Sequence, residues 1–464
     1  MSELQKNMST YSVSNEYRIT MPPAAARIIA KLQEAGHEAY IVGGCVRDCI
    51  LGREPGDWDI TTSALPHEVK ALFRRTIDTG IQHGTVTIMD GDEGYEVTTY
   101  RLDGDYEDGR HPTSVSFTRS LVEDLKRRDF TINAMAYNDK DGLVDEFDGI
   151  GDLQRGVIRC VGRARERFGE DALRIMRAVR FSAQLGFSID KETLDAISEL
   201  APTLDKISKE RIQIELNKLL LSKNPGYFRV LYETGITKVI MPEFDTMMEY
   251  PQSSRFHSYT VGIHTLKTVE AVPEDLVLRM TMLLHDVSKV WTGYRDEEGL
   301  DHFYKHASES AKWAEKFLRG LKYDNYTVDR VVKLIRWHNW RINSTKKDVR
   351  KAISTIGEEL FPDFIMVCIA DTMGKSDYAK ALILPELGDI ADIAAEILRD
   401  GDCLTLKDLA VTGRDLIAAG MKPGPHMGVV LNGLLQLVLE DPSCNNKEYL
   451  LSRVNLEHGA LRGM

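Results

Sequence analysis

Residues 39–62 read AYIVGGCVRDCILGREPGDWDITT, and the fold follows from how this stretch is parsed. The apolar run AYIV ends in two glycines and reads as a short strand. VRDCILG, just past the glycines, reads as a short helix, and residues 57–61 (DWDIT) as a second strand. On a strand, residues i and i+2 share a face, so Asp57 and Asp59 point the same way and Trp58 the other. Paired carboxylates are hard oxygen donors that suit Mg²⁺. Two such ions about 3.5–4 Å apart can clamp an in-line phosphoryl transfer. An isolated Asp-x-Asp is more often a solvated turn or cap, so the context carries the weight. Gly43 and Gly44 lie thirteen or so residues upstream, where strand meets helix; they permit close backbone approach, and the helix start offers free N–H groups to phosphate. Arg47 follows in the first turn, placed to add a charged contact to a triphosphate. An ordinary tight turn would also use two glycines. Glu96, in YEVTTY, is a third candidate carboxylate that could help deprotonate an attacking hydroxyl, although a strand Glu is more often a surface residue.

Working outward, MPPAAARIIAKLQEA (residues 21–35) reads as a helix with Pro in its first turn and Gly36 just past its end. GTVTIMD and EGYEVTTY read as strands. The head is therefore expected to be α+β, with a small mixed sheet over residues 22–148. An all-helical neck over 149–240, a histidine-rich helical body over 241–380 and a helical tail over 385–464 are expected to follow. The 464 residues carry a net charge of −12, which excludes a chain-wide basic coat for nucleic acid. A site for a polyanion must be a local patch. No apolar run reaches the roughly 18–20 residues of a membrane span. The first twenty residues lack the apolar stretch of a signal peptide. The six cysteines form no paired framework. A cytoplasmic protein with no membrane partner is expected, and no obligate protein partner is evident.

The neck concentrates charge. Residues 155–180 hold eight arginines against Glu166, Glu170 and Asp171. Such a run can be a solvated helix with intrahelical ion pairs or a local anion site. At roughly 100° per residue, Asp171 and Arg174 are neighbours, as are Arg174 and Arg177. Arg180 drifts to the side away from Asp171, towards phosphate or a neighbouring element. An adjacent carboxylate and guanidinium make a base reader. Cytosine and adenine each present an amino donor beside a ring-nitrogen acceptor, which Asp and Arg satisfy respectively. Uracil and guanine present the reverse order. Each unmet charged partner costs roughly 1–3 kcal/mol. The pair would accept C and A and reject U and G with no template.

The motifs YIVGGCVRDCILG, GDWDITTSALP, GDYEDGRHP, RRDFTINAMAYN and RFGEDALRIMRAVRF closely resemble those of bacterial class II CCA tRNA nucleotidyltransferases, nearly continuously over residues 38–190. The stretch VTGRDLIAAGMKPGPHMGVVLNGLLQLVLED resembles that family's tRNA-binding tail. The resemblance implies a polymerase-beta-like head and template-independent addition of C, C and A to the tRNA 3′ end from CTP and ATP. It implies that Asp57 and Asp59 bind the catalytic Mg²⁺, and that Gly44 and Arg47 contact the triphosphate. Arg128 of the RRD motif would contact the nucleotide, Asp171 and Arg174 would read the base edge, and Arg177 and Arg180 would belong to the same site. The segment Asp103–Pro112 resembles the loop that helps switch from C to A, with His111 where many relatives carry Arg. The alternatives are a bacterial poly(A) polymerase, whose ED pair tends to be followed by Pro where this chain has EDALR, and a CC-only or A-only enzyme.

In the body, His264, His285-Asp286 and Asp371 follow the order of an HD-domain phosphohydrolase. Such a set can hold a second divalent metal. LLHDVSKV resembles that family's LLHDxGK pattern, with Ser288 where Gly is usual. His302, His306 and His338 could extend the site. The other reading is a helical tRNA-binding body that does no chemistry.

Overall fold

Strand Ala39–Val42 lies inside an eight-stranded sheet and is buried along its whole length. The computed structural model describes residues 13–14, 17–104, 115–455 and 460–461. Of the segment Asp103–Pro112, residues 105–112 lie outside the described residues. The sheet order is Val13–Ser14, Gly142–Asp145, Met135–Asn138, Ala39–Val42, Ile60–Thr62, Glu93–Thr99, Thr85–Asp90, Thr76–Gly80. Ile60–Thr62 runs parallel to Glu93–Thr99. The other neighbours are antiparallel. The head is thus a mixed sheet with helices, as expected. A strand buried throughout must be covered on both faces. Tyr40 and Val42 enter one core cluster with Tyr100, Leu121, Leu125 and Val144. Ala39 and Ile41 turn to the other face by the strand's period of two. Helix Pro23–Glu34 packs on strands Ala39–Val42 and Ile60–Thr62. Its buried Ala24, Ala25, Ile28, Ile29 and Leu32 form one stripe at helical spacing.

One expectation is corrected here. The strand anticipated over 57–61 begins only at Ile60. Val42 N still donates to Asp59 O at 3.0 Å. Gly43 then turns the neighbouring chain away with φ 83°, a conformation open to glycine and strained for other residues. Asp57 and Trp58 therefore lead into the sheet without a ladder partner beside them.

The neck follows within the same compact unit, Met1–Pro242. The arginine-rich stretch is not one helix. Ala164–Glu170 ends at Asp171, whose backbone is extended at φ −138°, ψ 104°, and a new helix runs from Leu173 to Leu185. Reckoning 100° per residue from Asp171 therefore fails at its first step. Helix Leu173–Leu185 packs against Lys209–Leu220.

The second unit, Glu243–Met464, is mostly helical, with two short antiparallel strand pairs among its described residues, Tyr294–Arg295 with Asp301–His302 and Val454–Asn455 with Ala460–Leu461. Helices Val261–Glu270, Leu276–Leu284, Asn325–Trp337 and Phe361–Met373 pack against one another. Helix Asp377–Asp400 runs unbroken through residues 380–385, where a change of domain was anticipated, and carries Pro385 inside it. Among the described residues, no helix is long and apolar enough to cross a membrane.

Candidate functional site

Asp57, Trp58, Asp59, Thr87 and Glu96 line one cleft of about 680 Å³. Glu96 reaches it because Glu93–Thr99 lies beside Ile60–Thr62, with Val97 opposite Ile60. The three carboxylates sense one another. Desolvation at the cleft wall pushes the Asp59 carboxyl up; Arg128 opposes this, and Asp57 adds to it. Desolvation, Asp59 and Asp57 likewise raise Glu96. An adjoining pocket is lined by Val42, Asp59, Glu96, Arg127 and Arg128, so carboxylates and guanidiniums share its wall.

Arg128 is seated at the glycine turn. A Cβ built on Gly43 would meet the Arg128 guanidinium at 3.1 Å, so the missing side chain makes room for that cation. Gly44 opens helix Gly44–Ile50. Arg47 is buried: Nε and one terminal nitrogen pair with Asp48, both at 2.9 Å, and the other donates to Asn133 at 2.7 Å.

Sequence reasoning missed the residue that organises this corner. Asp124 is fully buried in helix Leu121–Lys126, accepts from Thr61 Oγ1 at 3.1 Å and from Arg127 Nε at 2.9 Å, and lies 3.6 Å from Arg128. Burial works against its charge, but Arg127 and Arg128 outweigh it and hold the carboxyl low. The signal available in RSLVEDLKRR was an acid three and four residues before two arginines, the spacing of intrahelical pairs.

In the neck, Arg174 N donates to Asp171 O at 3.0 Å, which keeps the two residues adjacent despite the break between helices. Asp171 Oδ2 accepts from Arg211 at 2.7 Å, and Oδ1 accepts from Leu173 N at 2.9 Å. Arg174 pairs with Glu170 and donates to Arg127 O at 3.1 Å. Arg180 does reach a neighbouring element, pairing with buried Glu215 at 2.7 Å. Its guanidinium stacks 3.9 Å over the Phe181 ring, against which Arg47 and Arg177 also lie, at 5.1 and 5.4 Å.

Arg177 binds Asp129 at 2.5 Å. Burial alone would raise the Asp129 carboxyl, but Arg177 overcomes it and brings the pKa down from 3.8 to about 2. A folded-state pKa below the unfolded one contributes stability above the unfolded value, and that contribution is lost as pH falls through the folded value. A shift of this size corresponds to about 2 kcal/mol. Asp129→Asn is expected to lower the unfolding free energy by about that amount near neutrality, with the gap to the parent chain closing between about pH 4 and pH 2. Urea melts across this range check it.

In the second unit, His264, His285, Asp286 and Asp371 converge. His264 Nε2 lies 3.4 Å from Asp286 Oδ2 and 3.1 Å from Asp371 Oδ1, and His285 Nε2 lies 3.2 Å from Asp286 Oδ2. Leu276–Leu284, buried at all but its first residue, delivers His285-Asp286 into the interior. His306 and His338 join at the other oxygen of Asp286, at 3.4 and 3.6 Å. His302 does not. It pairs with Asp296 at 2.5 Å and stacks on Tyr294 and Tyr304. Ser288 suits its position, because its Oγ donates to His306 O at 2.8 Å and ties the start of helix His306–Gly320 to the cluster.

Three family models match the chain: "Poly A polymerase head domain" over residues 39–159, "RNA and SrmB- binding site of polymerase A" over 186–248, and "tRNA nucleotidyltransferase domain 2" over 296–454. The chain is 38% identical over 434 residues to the CCA-adding enzyme of Limosilactobacillus reuteri, covering 93% of this chain and 95% of that protein. It is 39% identical over 430 residues to that of Limosilactobacillus fermentum, covering 92% and 95%. Among solved structures, the Bacillus stearothermophilus CCA-adding enzyme in complex with CTP matches with a TM-score of 0.68 at 32% identity, over 93% of this chain and 97% of that one. The Thermotoga maritima CCA-adding enzyme complexed with tRNA shares the fold, with a TM-score of 0.58 at 21% identity, over 93% and 95%.

Proposed function

The chain belongs to the CCA-adding enzyme family, and from that premise we propose how its own residues add C, C and A to the 3′ end of tRNA from CTP and ATP. The observation that supports the assignment is the cleft in which Asp57, Asp59 and Glu96 crowd together with Arg127 and Arg128 beside them. The poly(A) polymerase, CC-only and A-only alternatives are not favoured by these relatives.

The donor set fits a hard divalent cation. It is all oxygen, and three carboxylates share one cleft, where burial first and their neighbours second push the Asp59 and Glu96 carboxyls up. Asp57 and Asp59 would hold Mg²⁺, which when bound polarises the α-phosphate and acidifies the attacking hydroxyl. Glu96, on the wall of the same cleft, would receive the proton that the tRNA 3′-hydroxyl gives up. The 3′-oxygen then bonds to the α-phosphorus, the α–β phosphoanhydride bond breaks, and pyrophosphate leaves. Gly43 and Gly44 let the triphosphate approach the backbone, and Arg128, held by Asp124, meets its charge. Arg47 and Arg180, buried in pairs with Asp48 and Glu215, act by setting the walls. Asp171 accepts from the base amino group and Arg174 donates to the ring nitrogen. Arg211 and Glu170 hold these two heads in place beforehand.

Residues 22–148 would carry the chemistry, 149–240 the base reader, and 241–380 and 385–464 the grip on tRNA. His264, His285, Asp286 and Asp371 would hold a second divalent metal. A cytoplasmic setting fits work on tRNA. The test is extension of tRNA lacking its 3′ end with each labelled nucleotide, followed by sequencing of the new ends. Ends of CCA, with no UTP or GTP incorporated, are expected. A poly(A) tail, or equal use of UTP, would refute the assignment.

A further inference from the structure

The face of the sheet that carries Asp59 and Glu96 does not end at the carboxylates. Glu96 and Thr98 alternate onto one face of strand Glu93–Thr99. Across the ladder, Thr87 stands opposite Glu96 and Thr85 opposite Thr98. The acidic strip is therefore continued by a strip of hydroxyls. Thr85 Oγ1 and Thr98 Oγ1 share a hydrogen bond at 3.0 Å. One of the two donates in that bond, so the other keeps its proton for a further oxygen. Arg101, just past the end of this strand, lines the same pocket of about 160 Å³ as Asp59, Glu96, Thr85 and Thr98.

Arg101 is anchored at both ends. Its backbone N donates to Asp124 Oδ1 at 3.3 Å, and one terminal nitrogen of its guanidinium donates to His83 O at 2.7 Å. That carbonyl orients the planar fork and brings no negative charge to cancel it. Asp124 also accepts from Thr61 Oγ1 at 3.1 Å, and Thr61 lies two residues after Asp59. One buried carboxylate thus ties the start of Arg101 to the strand that follows the metal ligand.

The geometry of the reaction says which anion belongs here. In-line transfer puts the attacking and leaving oxygens on opposite sides of the α-phosphorus. Gly43, Gly44 and Arg128, past the end of strand Ala39–Val42, take the triphosphate and so mark the leaving side. Strand Ile60–Thr62 lies between Ala39–Val42 and Glu93–Thr99, so Asp59 stands between that side and the hydroxyl strip. The 3′-hydroxyl must approach from the side of Glu96, and the phosphate that precedes it in the RNA comes with it.

We propose that Arg101, with the Thr85–Thr98 hydroxyl pair, binds the phosphodiester joining the last two nucleotides of the tRNA and so positions the 3′-hydroxyl for attack. The proposal rests on the CCA-addition reading above and deepens it. A guanidinium beside a hydroxyl donor suits a phosphodiester oxygen. A contact to phosphate fixes register without reading sequence. The last phosphodiester is chemically the same after each addition, so one subsite holds the growing end through all three rounds and leaves the choice of nucleotide to Asp171 and Arg174.

The test uses the full chain and two tRNAs that lack the 3′ CCA, one ordinary and one with a neutral methylphosphonate at its last linkage. With the parent chain, the neutral linkage should lower kcat/KM for tRNA at least about tenfold and leave the KM for CTP unchanged. Arg101→Gln should cost a similar factor on the ordinary tRNA but less than about twofold on the neutral one, because the contact is already gone. Arg101→Lys, which keeps the charge, should recover part of the loss. Leaving pyrophosphate is the other source of phosphate for this pocket. If Arg101→Gln raises the KM for CTP and weakens inhibition by pyrophosphate while the KM for tRNA stays put, the arginine serves the leaving group and the proposal is overturned. Equal losses on both tRNAs would make Arg101 structural and overturn it too. So would full extension of the neutral-linkage tRNA by the parent chain, a result that no folding defect can produce, since the change is in the RNA. A parent chain that extends neither tRNA would instead remove the CCA-addition reading itself.

Discussion

Asp59→Ala is expected to lower nucleotide incorporation by about a thousandfold or more, and to do so without loosening the fold. The activity estimate follows from removing a group that stabilises charge developing only in the transition state, for which losses of about 10²–10³ are typical of a single neutral donor; a shared metal ligand should exceed that. The stability half follows from sign. Desolvation and Asp57 push the Asp59 carboxyl above its ordinary value, so the folded chain disfavours the charge it carries near neutral pH. Removing that charge relieves the folded state. Asp59→Asn should therefore melt at or slightly above the parent temperature while being inactive. This is the opposite of Asp129→Asn, which loses a carboxylate that the fold favours. Single-turnover extension assays and thermal melts on the same preparations test both halves. A mutant with full activity removes Asp59 from the metal site; one that is inactive but also strongly destabilised makes its role structural.

Asp171→Asn is expected to lose discrimination rather than all activity. An asparagine at this position can still accept, but it can also donate to the carbonyl that uracil and guanine present where cytosine and adenine carry an amino group. The preference for CTP over UTP should shrink by about 10- to 100-fold, the equivalent of about 1.5–3 kcal/mol for one charged contact. Arg174→Lys should act differently. It keeps the charge but not the planar fork, so CTP and ATP should both suffer while UTP and GTP gain nothing. The measurement is kcat/KM for each of the four nucleotides. If Asp171→Asn lowers all four equally, the carboxylate does not read the base.

The glycine turn, the pair Asp57 and Asp59, and the strands around them were legible because each is a local signal. Two glycines mark a turn whatever surrounds them, and alternation or an apolar run marks a strand within a few residues. The HD pattern was legible for the same reason, since His285 and Asp286 are adjacent. The break at Asp171 was not, because EDALR is acceptable helix sequence and only packing decided where one helix stopped and the next began. The strand limit at Ile60 was hidden too: it depends on Gly43, just past the end of another strand, turning away.

By itself, the sequence determined which groups are available: three carboxylates, a row of arginines and four histidines in the right order, carried on elements whose periodicity is written locally. Only the tertiary structure decided which of those groups face each other. It buried Asp124 beside Arg127 and Arg128, paired Arg180 with Glu215, paired His302 with Asp296 away from the other histidines, and brought four imidazole rings around Asp286. The physical reason is range. Backbone preference acts over a few residues, whereas desolvation and charge pairing depend on neighbours tens of residues away, and these decide which side chains meet in each cluster.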